Sequence, residues 1–348
     1  MTHFSQSWTG SLFSTARLSV GVLMALTLSN CSPVSTPANT SADLSSADLA
    51  SEDSFQVMTT FLPMTYFTKA VVGDRASVTQ LLPANTDPHD YQAKPQDIQS
   101  LAEADVLITN GLGLETFLSS LIDNAANPEL VVVDSSEGIP TVLSEGAGQR
   151  ASETAEEHAH EEEHGHEEEH DHGENDPHLW LDPKKAIQQV ENIRDALIVV
   201  DPDGEEIYTA NAADYIADLR SLDTKIHKQL APYAGKAFVT YHDFAEHFAH
   251  SYDLEVEHLI NIPEGSPTPA DVQRVIDTVE ASDLQVLLTE PSQQGNTFGA
   301  IAADLDLYIS LFDSVESTGE QNPQPEDYLF TLSQNSDNLA RAFGEPQQ

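Results

Sequence analysis

The chain has 348 residues, with 14 Lys+Arg, 58 Asp+Glu, 14 His and a single Cys, for a formal net charge of −44. A prior of roughly 150 residues per domain makes this about two domains. So large an acidic excess excludes nucleic acid and anionic lipid headgroups as partners held by charge, and favours cations, metal ions included.

Arg17 precedes an apolar run over residues 18–28 that ends in Leu28-Ser29-Asn30-Cys31. The run is shorter than the ~20 residues a membrane span needs, but it suits the core of an export signal. A Leu shortly before a Cys resembles a bacterial lipoprotein signal, with 1–31 as the signal segment and Cys31 as the lipidated new N-terminus. The other reading is an ordinary secretory signal with an incidental Cys. Either one exports the chain. A lone cysteine permits no intramolecular disulfide and no cysteine-based zinc finger. Residues 32–54, rich in Ser, Ala, Thr and Pro, read as a flexible tether.

From residue 55 onward, short β-rich apolar runs alternate with helical patterns, which predicts βαβ units and a parallel sheet. Strands are expected over 55–60, 77–82, 105–109 and 130–134, with helices over 62–72, 95–103 and 114–124. A capped helix over 183–199 follows, stopped by Asp201-Pro202-Asp203-Gly204. The next helical pattern, 205–230, is roughly 39 Å long at ~1.5 Å per residue. It either crosses from one lobe to the other or forms a local helical hairpin with its predecessor. The design then repeats, with strands over 237–241, 255–260, 285–289 and 307–312 and helices over 244–252, 269–281, 297–304 and 326–343. The fold class is therefore α/β in two lobes. An N-terminal lobe spans 55–202, a linking helix 203–234, and a C-terminal lobe 235–345.

Residues 146–175 break the pattern. His158, His160, His164, His166, His170 and His172 alternate with runs of Glu and nothing apolar, so the segment reads as a disordered insertion in the first lobe. His160-Glu161-Glu162-Glu163-His164 matches the H-E-x-x-H zinc-protease pattern, but by composition, with no helix face to pack. The imidazoles suit weak, adaptable metal capture; the bland reading is a solvated acidic spacer. Gly111-Leu112-Gly113 lacks the third glycine of a dinucleotide fingerprint, Thr116 standing there, and reads as a tight strand-to-helix turn.

Four other residues stand at strand ends or Pro-bounded turns. His89 lies in Asp87-Pro88-His89, His178 in Asp176-Pro177-His178-Leu179-Trp180, His242 after the strand at 237–241, and Asp313 after the strand at 307–312. Taken singly, each His reads equally well as a turn or capping residue. Ligands of α/β sheets bind beyond the carboxyl ends of strands, and a His₃-carboxylate set suits a tetrahedral divalent cation. His247, His250 and His258 read as helix-face and strand residues. Glu290 reads either as an acceptor orienting an imidazole or as a turn residue before Pro291.

Asp87-Pro88-His89-Asp90-Tyr91, Asp176-Pro177-His178-Leu179-Trp180 and Tyr241-His242-Asp243-Phe244 resemble the metal-specific solute-binding proteins of bacterial ABC transporters, most nearly the zinc-uptake branch. Asn110-Gly111-Leu112-Gly113-Leu114-Glu115, Glu264-Gly265-Ser266-Pro267-Thr268-Pro269 and Thr289-Glu290-Pro291 extend the resemblance over roughly 55–343. It implies two lobes with four-stranded, mainly parallel sheets joined by one long backbone helix. It also implies metal ligands His89, His178, His242 and Asp313, with His242 standing where manganese-specific relatives usually have Glu and with water as the alternative fourth ligand. The His-rich insertion is typical of the zinc branch. The implied function is extracytoplasmic capture of Zn²⁺ and delivery to an ABC permease with its ATPase, by a lipid-anchored monomer that is no enzyme. The alternatives are a manganese or iron receptor of the same family, a secreted zinc hydrolase, or a metal buffer.

Overall fold

The computed structural model describes residues 55–89, 91–142, 175–258, 268–281, 284–291, 302–319 and 322–344, all within the compact unit Ser51–Gln348. The export signal, the tether, the His/Glu-rich insertion and most of the helix expected over 297–304 lie outside the described residues. The first half runs β1 (Gln56–Thr59), α1 (Leu62–Val72), β2 (Ser77–Gln80), α2 (Pro95–Glu103), β3 (Val106–Thr109), α3 (Leu118–Ala125) and β4 (Val131–Asp134). Helices α4 (Pro183–Val200) and α5 (Glu205–Leu230) follow. The second half runs β5 (Ala237–Thr240), α6 (Glu246–Ser251), β6 (Glu255–His258), α7 (Pro269–Ala281), β7 (Val286–Thr289), β8 (Tyr308–Leu311) and α8 (Pro325–Gly344).

Each half forms a four-stranded parallel sheet, in the orders β2-β1-β3-β4 and β6-β5-β7-β8. Central strands of such sheets are covered on both faces and so read as continuous apolar runs rather than alternating ones. Strand β3, Val106-Leu107-Ile108-Thr109, is buried at every position. The strand order reverses between β1 and β3 and again between β5 and β7. Open parallel sheets bind ligands at that reversal, beyond the carboxyl ends of the strands.

Helices α4 and α5 pack on each other, and α5 also packs against α1 and α8. Its buried stripe, from Tyr208 through Tyr215, Leu219 and Ile226 to Leu230, belongs to a core shared by both halves. It is therefore no mere local hairpin. Helix α8 returns from the second half to α1, where Tyr328 meets Phe67 edge-on at 5.0 Å. Asp182 caps α4 by accepting from Lys184 N, ahead of Pro183, whose missing N–H is harmless in the first turn.

The helix expected from residue 114 starts only at Leu118. Glu115 is the reason. Its buried carboxylate folds back to accept from Asn110 N at 2.7 Å, Gly111 N at 3.1 Å and Thr60 Oγ1 at 2.8 Å. The chain before it turns through positive φ at Gly111, Leu112 and Gly113. A Cβ on Gly111 would lie 2.1 Å from Asp134 Oδ1, so this turn demands glycine for space as well as for conformation.

Trp180 ties the halves together. It is fully buried, meets Phe61 edge-on at 5.0 Å, donates from Nε1 to Ser314 O at 2.8 Å, and its carbonyl accepts from Tyr328 Oη. Trp180→Phe keeps most of the ring and strands the Ser314 carbonyl. The metal-free variant should lose about 1–3 kcal/mol in urea unfolding, the cost of leaving a buried acceptor unpaired.

Candidate metal site

The repeated Asp-Pro-His sequences fold alike. Asp87 Oδ1 accepts from His89 N at 2.9 Å, and Asp176 Oδ1 accepts from His178 N at 2.9 Å. In each case the aspartate closes a tight turn onto its own backbone, with the proline between fixing φ. His242 follows β5, and its carbonyl accepts from Thr240 Oγ1 at 2.7 Å and from Phe244 N at 3.0 Å. These three loops leave the carboxyl ends of β2, β4 and β5, the last belonging to the other sheet.

The three imidazoles meet. His89, His178 and His242 have ring centroids 5.5 to 5.6 Å apart pairwise, an almost equilateral triangle. The fourth member is Glu316, and one ligand-capable atom from each of the four residues lies within 4.8 Å of the others. All four are buried. A tetrahedral zinc site with bonds of ~2.0–2.1 Å has edges of about 3.4 Å, so a modest contraction would complete it. Glu316 Oε1 lies 3.1 Å from His89 Nε2 and 3.3 Å from His178 Nε2, while Oε2 accepts from Ser314 Oγ at 2.9 Å.

Asp313, the carboxylate expected from the sequence, is not in this cluster. Its Oδ1 accepts from Val315 N at 2.8 Å, its own N–H donates to Asn335 Oδ1 at 2.9 Å, and its carbonyl accepts from Asn335 Nδ2 at 2.8 Å. Val315 sits at φ 65°, unusual for a β-branched residue. Asp313 thus builds a strained turn whose reversal carries the next carboxylate, Glu316, to the histidines. Sequence reading could see two acids three residues apart after the last strand; it could not see the left-handed turn that selects the second.

The site's charges are uneven. Burial alone would raise Glu316, but hydrogen bonds from His178 and His89 hold it well below the usual carboxylate range. Burial pulls His178 down, yet Asp176 and Glu316 outweigh it and hold the imidazole well above its ordinary value. Burial pushes His242 well below that value. His242 is fully buried, and among the described residues neither of its ring nitrogens has a hydrogen-bond partner. Buried polar atoms are nearly always paired, and a neutral imidazole carries one lone-pair nitrogen, so that nitrogen points to a missing partner that accepts its lone pair. A divalent cation is such a partner.

Among the described residues these four form the one group arranged to hold a metal. His247 and His258 are buried outside it, and His250 is exposed. Glu290 is buried, with Ser314 and Glu316 beside it; burial, reinforced by the Glu316 charge, raises it well above the usual range. The loop histidines His158, His160, His164, His166, His170 and His172, and Cys31, lie outside the described residues. The role of Asp176 is not visible in its motif: its Oδ1 accepts from His178 Nδ1 at 2.6 Å.

Two parallel β/α sheets, a long shared helix, and a buried His₃-carboxylate cluster drawing on both sheets define a bilobal binding protein for a small cation. The chain belongs to the family described as "Zinc-uptake complex component A periplasmic", whose model matches residues 57–342. It is 31% identical over 290 residues to the "High-affinity zinc uptake system protein ZnuA" of Bacillus subtilis, covering 82% of this chain and 87% of that protein. It is 28% identical over 299 residues to the "Manganese-binding lipoprotein MntA" of Halalkalibacterium halodurans, covering 84% and 90% respectively. A solved structure described as "Crystal structure of ZnuA" superposes with a TM-score of 0.68 at 26% identity, covering 83% of this chain and 99% of that one.

Proposed function

We propose that this chain is the extracytoplasmic receptor that captures Zn²⁺ through His89, His178, His242 and Glu316 and delivers it to an ABC permease with its ATPase. The observation that carries this reading is the buried His242 imidazole, whose lone-pair nitrogen has no partner among the described residues, set beside two further imidazoles and an ionised carboxylate. Three neutral nitrogen donors disfavour Mg²⁺ and Ca²⁺, which take oxygen ligands. Four protein donors fill a tetrahedron and leave no open position for substrate, which speaks against a zinc hydrolase. Export and a lipid anchor at Cys31 rest on the N-terminal sequence. Among the described residues no helix is long and apolar enough to cross a membrane. The His-rich insertion acts as an auxiliary, weaker collector of the same ion.

A manganese receptor is the second reading, favoured by the similarity to the manganese-binding relative. Competitive titration of residues 32–348 with Zn²⁺ and Mn²⁺ against a calibrated chelator decides between them, with residues 146–175 intact and deleted. One tight zinc-preferring site surviving the deletion supports the proposal. Tight binding lost with the loop, or a site preferring Mn²⁺, refutes it.

Proton release offers a further check. An imidazole must be bare to ligate, so a His178 held above its ordinary value must shed its proton as the metal enters. Because that pKa is raised, competition by protons begins above the ordinary His range and strengthens as pH falls. Zinc affinity should therefore drop with acidification from about pH 8 toward 5, by up to about tenfold per pH unit for each proton displaced. Calorimetry at neutral pH in buffers of different ionisation heat should show about one proton released per zinc. A buffer-independent heat would contradict the assignment.

A further inference from the structure

His178 belongs to a longer chain of contacts. Its Nδ1 donates to Asp176 Oδ1 at 2.6 Å, which leaves Nε2 aimed at the cluster. Asp176 in turn meets His247 of α6, in the second half of the chain. His247 Nε2 lies 3.0 Å from the Asp176 carbonyl and 3.6 Å from Asp176 Oδ2. Both of those oxygens only accept, so Nε2 carries the proton, and the Nδ1 of His247 is left bare and buried. His247 is fully buried and Asp176 nearly so. A wholly buried imidazole whose polar contacts both fall on one residue of the other half acts as a clamp on that residue, beyond filling space.

We infer that His247 is a positioning residue that links the placement of the second lobe to the aim of the metal ligand His178, through Asp176. This rests on the zinc-receptor reading above. When the lobes sit as they do here, the three-membered line His178–Asp176–His247 holds the ligand ring in one tautomer and one orientation. If α6 shifts away from the first sheet, the Asp176 backbone carbonyl loses its hydrogen bond, the turn that carries the carboxylate is free to move, and the His178 ring loosens. Metal release is thereby tied to a movement between lobes that need not touch the ligands themselves. The neighbouring anchors point the same way: Ser251, at the other end of α6, donates to Asp182 Oδ2 at 2.6 Å, so both ends of this helix grip the segment that carries His178.

The test follows Zn²⁺ dissociation into excess chelator by stopped flow, using the unanchored chain from residue 32. Carboxylate partners of ligating histidines contribute about 10–100-fold in affinity, and His247, one step further out, should contribute about tenfold. His247→Phe, which keeps the ring and removes the donor, should speed dissociation by about that factor. His247→Gln, which keeps an N–H, should stay near the wild-type rate. In an Asp176→Asn background His247→Phe should add less than in the wild type, because the Asp176 backbone that His247 grips then positions only a weaker, neutral acceptor for His178 Nδ1–H. An unchanged rate in His247→Phe, equal damage from Phe and Gln, or full additivity with Asp176→Asn would each overturn the inference. Should His247→Phe not fold, ¹H–¹⁵N imidazole spectra of the wild type give the answer. Slowly exchanging His178 Nδ1–H and His247 Nε2–H protons support the line, and their absence overturns it. A wild type that binds no zinc tightly would instead sink the functional reading itself.

Discussion

Replacing His242 with Ala should lower zinc affinity at least about 100-fold, more than the 10–100-fold typical of outer-shell partners, while leaving the metal-free fold intact. The ring stands isolated. Its nitrogens make no hydrogen bond among the described residues, so removing them breaks none there. The residue's place is fixed through its backbone by Thr240 and Phe244, which the substitution keeps. Deleting a buried, unpaired polar group also relieves a desolvation cost, and this offsets part of the cavity left beside the Phe244 ring, 4.9 Å away. The metal-free variant should melt within a few degrees of the wild type, while chelator competition shows its tight site gone. A large drop in melting temperature with affinity retained would mean that His242 is a core histidine after all. His242→Glu adds a second reading of the same position. A carboxylate is a harder donor than imidazole, so the ratio of Zn²⁺ to Mn²⁺ affinity should fall.

Most of the scaffold that holds these residues is legible in the sequence, because its signals are local. Apolar runs of two or three residues mark β1, β3, β5 and β7, and Pro95, Pro183 and Pro269 open their helices where the missing N–H does no harm. The three site histidines are legible for a related reason. Two sit in Asp-Pro-His turns whose hydrogen bond spans only two residues, and the third closely follows a strand. What sequence reading misses depends on partners far along the chain. The helix expected from residue 114 is displaced because Glu115 bonds Thr60, 55 positions earlier. His247 looks like an ordinary helix-face residue until the fold sets it against Asp176, 71 positions away. The choice between Asp313 and Glu316 turns on Asn335, which grips Asp313 from α8 and has no motif to announce it.

That choice yields the sharpest contrast available in this protein. Glu316→Gln keeps the size and the Ser314 contact but removes the charge between His89 and His178. The ion would then meet three neutral donors and an amide oxygen. Charged hydrogen bonds are roughly twice as strong as neutral ones, and the anion also holds His178 in place before the metal arrives. The loss should therefore reach about 100-fold or more, beyond the usual range for an outer-shell partner. Asp313→Asn should behave differently. An amide oxygen still accepts from Val315 N, and the backbone bonds to Asn335 do not involve the side chain, so the turn and the reach of Glu316 survive. Its zinc affinity should stay within about threefold of wild type, well under the ~10-fold that marks even a weak outer-shell effect. Asp313→Ala leaves Val315 N without its acceptor at a residue already held at positive φ, which should cost about 1–3 kcal/mol of stability and weaken binding only through the looser turn. If Asp313→Asn proved as damaging as Glu316→Gln, Asp313 would have to reach the ion on binding, and the turn seen here would be a state that the metal rearranges.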